Sequence, residues 1–252
     1  FWVCPGTSAW NTFTGRTDNM LANIESAATH GLAHGAEGLL LTSWGDGGNH
    51  QPWPVMYPGI AYAAGVAWNR AVTQRADVAR AVNLAFSQTV NSGYGEILLE
   101  LGRVENAVKH PKPNRSRHYN LFFATRAELK RELATLSESE IKKILAALDR
   151  VQEHLIAQGE KYLWEFRSLG ELQLGADLAA WALRRAQFAK GRNGPPSRLR
   201  TPRRGVSTQR RQALRDELID LVERFADLWG NRAREGGLRE SAIRMVKVAS
   251  EL

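Results

Sequence analysis

The sequence predicts an α/β partial TIM barrel, consisting of the last two βα units, followed by a mostly α-helical domain. One observation predicts the first part: short apolar runs alternate with helical patterns over residues 1–75, which is typical of parallel sheets. A second observation predicts the second part, because apolar residues recur at spacings of three and four from Asp77 onward. We therefore expect one domain over residues 1–75 and another over residues 76–252.

The first predicted βα unit begins with the apolar, β-prone run from Phe1 to Cys4, which Pro5-Gly6 ends. The loop after this strand carries Trp10 and Asn11. Asp18 is the candidate N-cap of the helix that follows, and Gly31 or Gly35 can end that helix.

The second predicted strand runs from Gly38 to Trp44, a short apolar segment bounded by glycines. A glycine-rich turn follows, and Pro58 can then lie in the first turn of the next helix. The turn carries four polar side chains, which are Asp46, Asn49, His50 and Gln51.

Parallel strands place the loops at their carboxyl ends on one side of the sheet, where α/β folds bind ligands. We therefore expect Trp10 and Asn11 to lie near Trp44 and Asp46. An aromatic ring beside a carboxylate and amides suits a polyhydroxylated ligand, since the ring stacks on a sugar face and the polar groups bind its hydroxyls. The alternative is a strand that ends in a core tryptophan, with the glycines needed only for the turn.

Two parallel strands cannot bury both faces of a sheet, and a barrel of this type needs eight. The strand–helix alternation stops after residue 75, and the chain opens on Phe1 in an apolar run with no initiator methionine. These features predict that the chain is the closing part of a longer barrel, with the amino-terminal part of that barrel as its missing partner.

The residues also point to a family. The segments Cys4 to Asn11, Asn23 to Gly38 and Thr42-Ser43-Trp44-Gly45-Asp46 resemble the last two barrel units of bacterial family 20 glycoside hydrolases, the β-N-acetylhexosaminidase-like proteins. The segment Leu228 to Arg232 with Gly236 to Ser241 is similar to the end of the helical region that follows that barrel.

The resemblance implies removal of terminal N-acetylhexosamine by a retaining mechanism in which the substrate's acetamido oxygen is the nucleophile. It also implies that Trp44 forms part of the sugar pocket wall and that Asp46 holds ring hydroxyls. Trp10, Asn11, Asn49 and His50 complete the expected substrate-binding set. Many family members have Glu at the position of Asp46, and the family's catalytic Asp-Glu pair matches no position here.

We therefore expect no catalytic residue in this chain and no turnover by the chain alone. The alternative is a non-catalytic protein, either a carbohydrate-binding relative or a helical scaffold with a basic loop for anionic partners.

The composition of the 252 residues sets further limits. A hydrophobic content of 43% can build a core, and the apolar runs are too short to span a membrane. The single cysteine, Cys4, excludes an intramolecular disulfide, and we expect a buried, inert thiol. The compartment stays open, with the cytoplasm preferred. No cofactor motif is present, and His30 and His34 lack the glutamate of a zinc-protease motif.

The second predicted domain is built from helices. Ser137-x-x-Glu140 is a capping box that opens a helix through Leu155. An amphipathic segment covers residues 160–188, and a last long helix runs from about Thr208 to Trp229.

The formal net charge is +8, and a basic, proline-containing run, predicted to be a loop over residues 190–211, carries much of this excess. It has no interleaved aromatic residue to stack bases, which argues against nucleic acid as a partner and favours a solvated loop.

Overall fold

A computed structural model describes residues 1–87, 89, 91–161, 166–193 and 204–252. These residues form ten α-helices and two short parallel strands. The strands are β1 (Trp2–Val3) and β2 (Gly38–Leu39). The helices are α1 (Thr17–Ala33), α2 (Tyr57–Thr73), α3 (Val78–Phe86), α4 (Tyr94–Leu101), α5 (Arg117–Phe123), α6 (Arg126–Ala134), α7 (Glu138–Lys161), α8 (Phe166–Asn193), α9 (Arg204–Gly230) and α10 (Leu238–Lys247).

The predicted partial TIM barrel is wrong: the described chain is essentially helical, and its sheet has only β1 and β2. The two strands pair in parallel, with Trp2 opposite Gly38 and Val3 opposite Leu39. The predicted strand from Gly38 to Trp44 is much shorter in the structure, because Pro5 lacks the N–H that would extend the ladder. Beyond it the segments stay adjacent, with Thr42 N donating to Pro5 O at 2.8 Å and Thr7 N to Thr42 O at 2.8 Å.

The helices α1 and α2 cover only one face of this two-stranded sheet. Leu39 and Leu41 pack into a small apolar cluster formed by residues of α1 and α2. The alternate residue Leu40 is 53% exposed, and Cys4 is exposed as well. The expectation that Cys4 is buried is therefore wrong, because the sheet face opposite α1 and α2 is uncovered.

The helix α8 is the centre of the main core, where it packs against α5, α6, α7 and α9. Trp181 of α8 is fully buried, and its Nε1 donates to Leu214 O of α9 at 2.9 Å. Because the core also takes in Phe13, Val55 and Met56, the segment before residue 76 is packed into the helical part. No described helix has the length and apolar character that a membrane crossing requires.

Basic residues at and just before the start of the predicted loop are packed into the fold. Arg185 is buried and donates to the carbonyls of Leu121, Phe122 and Ala124 at the end of α5, at 2.6–2.9 Å; burial lowers its pKa to about 10. Arg184 is paired with Glu217, and Lys190 Nζ donates to Leu136 O. The predicted loop over residues 190–211 is wrong at both ends, because residues 190–193 belong to α8 and residues 204–211 belong to α9. Its middle, residues 194–203, lies outside the described residues, as do Leu163 and Trp164 of the predicted amphipathic segment.

Candidate functional site

The turn after β2 has an unusual backbone. Gly47 and Gly48 have φ values of +74° and +129°, and Asn49 has a φ of +53°. A side chain at Gly48 would also collide with His50, because its Cβ would lie 2.4 Å from His50 Cε1. Glycine is therefore required at Gly48, and the turn reverses the chain so that residues 49–53 return beside Trp44.

A cleft of about 250 Å³ opens beside this turn. Two of its walls are tryptophans that are largely accessible: Trp44 is 58% exposed and Trp53 is 48% exposed. The remaining lining comes from small polar, amide and apolar side chains, which are Thr7, Leu41, Thr42, Ser43, Gly45, Asn49, Gln51, Met56 and Ile60. Among these described lining residues none is ionisable, so the cleft favours a neutral ligand.

The amide of Gln51 fixes one wall of the cleft. Its Nε2 donates to Trp44 O at 2.8 Å and to Asn49 Oδ1 at 3.0 Å. These two bonds hold the turn closed and leave the Gln51 carbonyl oxygen and the Asn49 amide nitrogen without a hydrogen-bond partner among the described residues. One acceptor and one donor are therefore available on the same wall.

Hydroxyl groups form a connected chain at the floor of the cleft. Thr7 Oγ1 donates to Ser43 Oγ at 3.1 Å, and Ser43 Oγ donates to Met56 Sδ at 2.7 Å. Trp44 Nε1 donates to Thr42 Oγ1 at 3.2 Å, which orients the indole at the rim. The hydroxyl groups of the floor are therefore hydrogen-bonded to other protein atoms. The indole rings and the amides are the groups that can contact a ligand.

The structure brings only part of the predicted site together. Trp44 and Asn49 line the cleft. Trp10 does not: it packs on Gly6, and the Arg16 guanidinium lies 5.4 Å from the centre of its ring. Asn11 has a φ of +53°, and its carbonyl accepts a bond from Ser116 N at 3.0 Å.

The two ionisable members of the predicted set also lie outside the cleft lining. Asp46 is exposed at the tip of the turn. Burial raises the pKa of Tyr119 to about 12, and the charge of Asp46 acts in the same direction, which locates this carboxylate on the Tyr119 side of the turn. His50 is 3% exposed; its Nδ1 lies 3.2 Å from Tyr119 Oη, and its Nε2 lies 3.0 Å from Ser241 O.

Sequence reasoning missed Trp53 as a wall of the site. A tryptophan between Pro52 and Pro54 could have been noticed, since prolines on both sides make a strand or a long helix improbable there and favour a surface turn. In the structure this segment is a short 3₁₀ turn, Trp53–Met56, that leads into α2.

Comparison with known proteins does not extend this description. No protein-family model matches the chain, and a search of curated proteins finds no match. Within the described residues, no group of three or more His, Cys, Asp or Glu side chains could hold a metal ion.

Proposed function

We propose that this chain binds carbohydrate through the cleft between Trp44 and Trp53. The observation that carries the proposal is the pairing of two half-exposed tryptophans with amide groups in a cleft whose described lining has no ionisable residue. Indole rings stack on the apolar C–H face of a sugar, and amides match its hydroxyls as both donors and acceptors. A charged ligand would find no counter-charge on these walls.

The proposed ligand is a terminal N-acetylhexosamine residue. The resemblance to family 20 glycoside hydrolases implies this sugar and implies that Trp44 contacts it. The geometry is compatible with it, because the Gln51 carbonyl oxygen can accept from an acetamido N–H and the Asn49 amide can donate to an oxygen of the ligand.

We further propose that the chain supplies part of a binding surface and not the chemistry of hydrolysis. A substrate-assisted hydrolase needs an acid to protonate the leaving group. The only carboxylate that the resemblance places at the sugar, Asp46, lies outside the cleft lining. The protein is therefore expected to bind N-acetylglucosamine without turning over an aryl N-acetylglucosaminide.

Calorimetric titration of the purified chain with N-acetylglucosamine tests the binding. A single sugar in an open cleft is expected to bind with a Kd of about 1 mM. Trp44→Ala removes one wall and is expected to weaken binding at least about tenfold, the effect of losing roughly 1.4 kcal/mol. Trp68→Ala is the matched control, because Trp68 is 92% exposed on α2 and does not line the cleft.

Two results would contradict the proposal. If the wild-type chain does not bind the sugar, or if Trp44→Ala and Trp68→Ala weaken binding equally, the cleft is not the site. Turnover of the aryl substrate that Asp46→Ala abolishes would instead show that the chain contains the catalytic acid.

A further inference from the structure

A second pocket lies directly beside the cleft, between α8, α9 and the turn at Pro52 and Trp53. Its volume is about 50 Å³. Asn49, Gln51 and Trp53 line both this pocket and the cleft. The two cavities are therefore neighbours that share these three residues.

Glu171 of α8 is the unusual group in this pocket. The residue is 6% exposed, and its Oε1 accepts from Arg232 Nε at 2.5 Å. Its Oε2 is buried and has no hydrogen-bond partner among the described residues. Burial raises the pKa of Glu171, although Arg232 opposes this effect. A buried carboxylate oxygen without a donor is costly because it has lost its hydration, so a donor from outside the protein would be stabilising.

The other walls are aromatic and aliphatic. Trp229 and Phe225 meet edge to face with ring centres 5.6 Å apart, and Trp229 Nε1 donates to Arg234 O at 2.7 Å. Leu174 and Leu178 complete the apolar side. The pocket thus combines rings for stacking with one buried hydrogen-bond acceptor, which is the chemistry of a saccharide subsite.

We propose that this pocket is a second saccharide subsite, so that the protein binds an oligosaccharide across Trp53 and not a single sugar. The inference rests on the proposed function and deepens it. One sugar occupies the cleft beside Trp44, and the next lies over the far side of Trp53, where a hydroxyl or acetamido N–H donates to Glu171 Oε2. A neutral donor suits this carboxylate, since Arg232 already balances its charge.

The competing explanation is that one or two ordered waters fill this pocket, which is large enough for them. In that case Glu171 would be satisfied without a ligand, and a longer sugar would gain nothing. The comparison of one sugar with two therefore separates the explanations.

The test is calorimetric titration of the full chain with N-acetylglucosamine and with its β1→4-linked disaccharide. In the wild type, the disaccharide is expected to bind at least tenfold more tightly. Glu171→Gln keeps an amide oxygen for Arg232 and puts an NH2 donor in the place of the accepting Oε2, and Ala233→Leu adds bulk at an exposed position of the pocket lining. Either change is expected to bring the ratio of the two Kd values close to one.

Ala71→Leu is the matched control, because Ala71 is an exposed alanine of α2 that lines neither cavity; it should retain the tenfold ratio. Thermal unfolding of each variant identifies a loss of binding that comes from misfolding, and Ala233→Leu provides the test if Glu171→Gln does not fold.

Equal affinity of the wild type for the two sugars would overturn the second subsite while leaving the first cleft intact. Retention of the tenfold ratio in a folded Glu171→Gln or Ala233→Leu variant would also overturn it. If neither sugar binds to the wild type, the proposed function fails, and this inference fails with it.

Discussion

Several polar residues that look like candidates for chemistry serve the interior of the fold. His118 is fully buried, its Nε2 accepts from Phe13 N at 3.1 Å, and its Nδ1 lies 2.7 Å from Glu105 Oε1. Ser116 Oγ also lies 2.8 Å from Nε2. These three residue types are those of a hydrolytic triad, but His118 Nδ1 makes no hydrogen bond within the described residues, and Ser116 is buried and caps α5. The contacts of His118 therefore tie the loop around Phe13 to α5.

His50 is likewise a buried residue that serves the interior of the fold. Its titration makes the stability of the fold depend on pH. Burial lowers its pKa to about 4, and the nearby Arg244 acts in the same direction, against the Ser241 carbonyl. Between pH 4 and the ordinary value of 6.5, the unfolded chain binds a proton that the folded chain does not. The free energy of unfolding should therefore fall by about 3 kcal/mol as the pH decreases through this window.

Urea unfolding measured from pH 4 to pH 7 checks this dependence. His50→Gln keeps a donor for Ser241 O but does not titrate, so its stability should decline less steeply over the window than that of the wild type. Identical slopes for the two proteins would show that His50 is protonated as readily in the folded chain as in the unfolded chain.

At the scale of elements, local signals in the sequence explain where several helices begin. The predicted capping box is confirmed: Glu140 N donates to Ser137 Oγ at 3.1 Å, and Ser137 N donates to Glu140 Oε2 at 2.8 Å. Pro58 lies in the first turn of α2, as predicted. Asp18 is not an N-cap, because α1 begins one residue earlier and the Asp18 carboxylate accepts from Arg103 at 2.8 Å.

The packing of α3 on α4 depends on a glycine. A Cβ added at Gly95 would lie 2.1 Å from the backbone oxygen of Ala79, so Gly95→Ala forces the two helices apart. We expect destabilisation of about 1–3 kcal/mol. The control is Gly191→Ala in α8, where nothing lies within 4 Å of the added Cβ; helix propensity should stabilise that variant by up to about 1 kcal/mol.

Denaturant unfolding of both variants checks the contrast. If Gly95→Ala and Gly191→Ala changed the denaturant concentration at the midpoint of unfolding equally, α3 and α4 would not be in close backbone contact at Gly95.

At the scale of the whole molecule, the segments before and after residue 76 share one core. Phe13 is fully buried, with its ring centre 5.1 Å from the ring centres of both Tyr119 and Phe122. Gly175 of α8 lies directly against the first segment. A Cβ at this position would lie 2.4 Å from Phe13 O. The strands and α1 are therefore attached to the helical part by close packing.

This shared core predicts that neither part folds alone. A chain of residues 76–252 would have a cavity in place of Phe13, which would lower its free energy of unfolding by about 3–5 kcal/mol. A chain of residues 1–75 would keep only the small apolar cluster between α1 and α2. Near-ultraviolet circular dichroism and thermal scans of the two fragments check the prediction. A cooperative transition in residues 76–252 alone, close to that of the whole chain, would contradict it.

Local signals in the sequence predict the helices α1 and α2, most of α7 to α9, and the parallel pairing of β1 with β2. Both depend on local information: the spacing of apolar residues, caps such as Ser137, and the connection of the two strands through α1. The prediction of a partial barrel was wrong for a different reason. The sequence pattern shows that β1 and β2 lack neighbouring strands. It does not show that the helices of the described chain pack into one core without further strands.

Which side chains share a site depends on how distant segments pack together. Trp44 and Trp53 line one cleft because the turn at Gly47 and Gly48 reverses the chain, whereas Trp10 is held on Gly6 and away from it. Glu171 and Arg232 are 61 positions apart and meet only because α8 packs on α9. The pairing of distant residues depends on how whole helices pack, and no local spacing in the sequence encodes it.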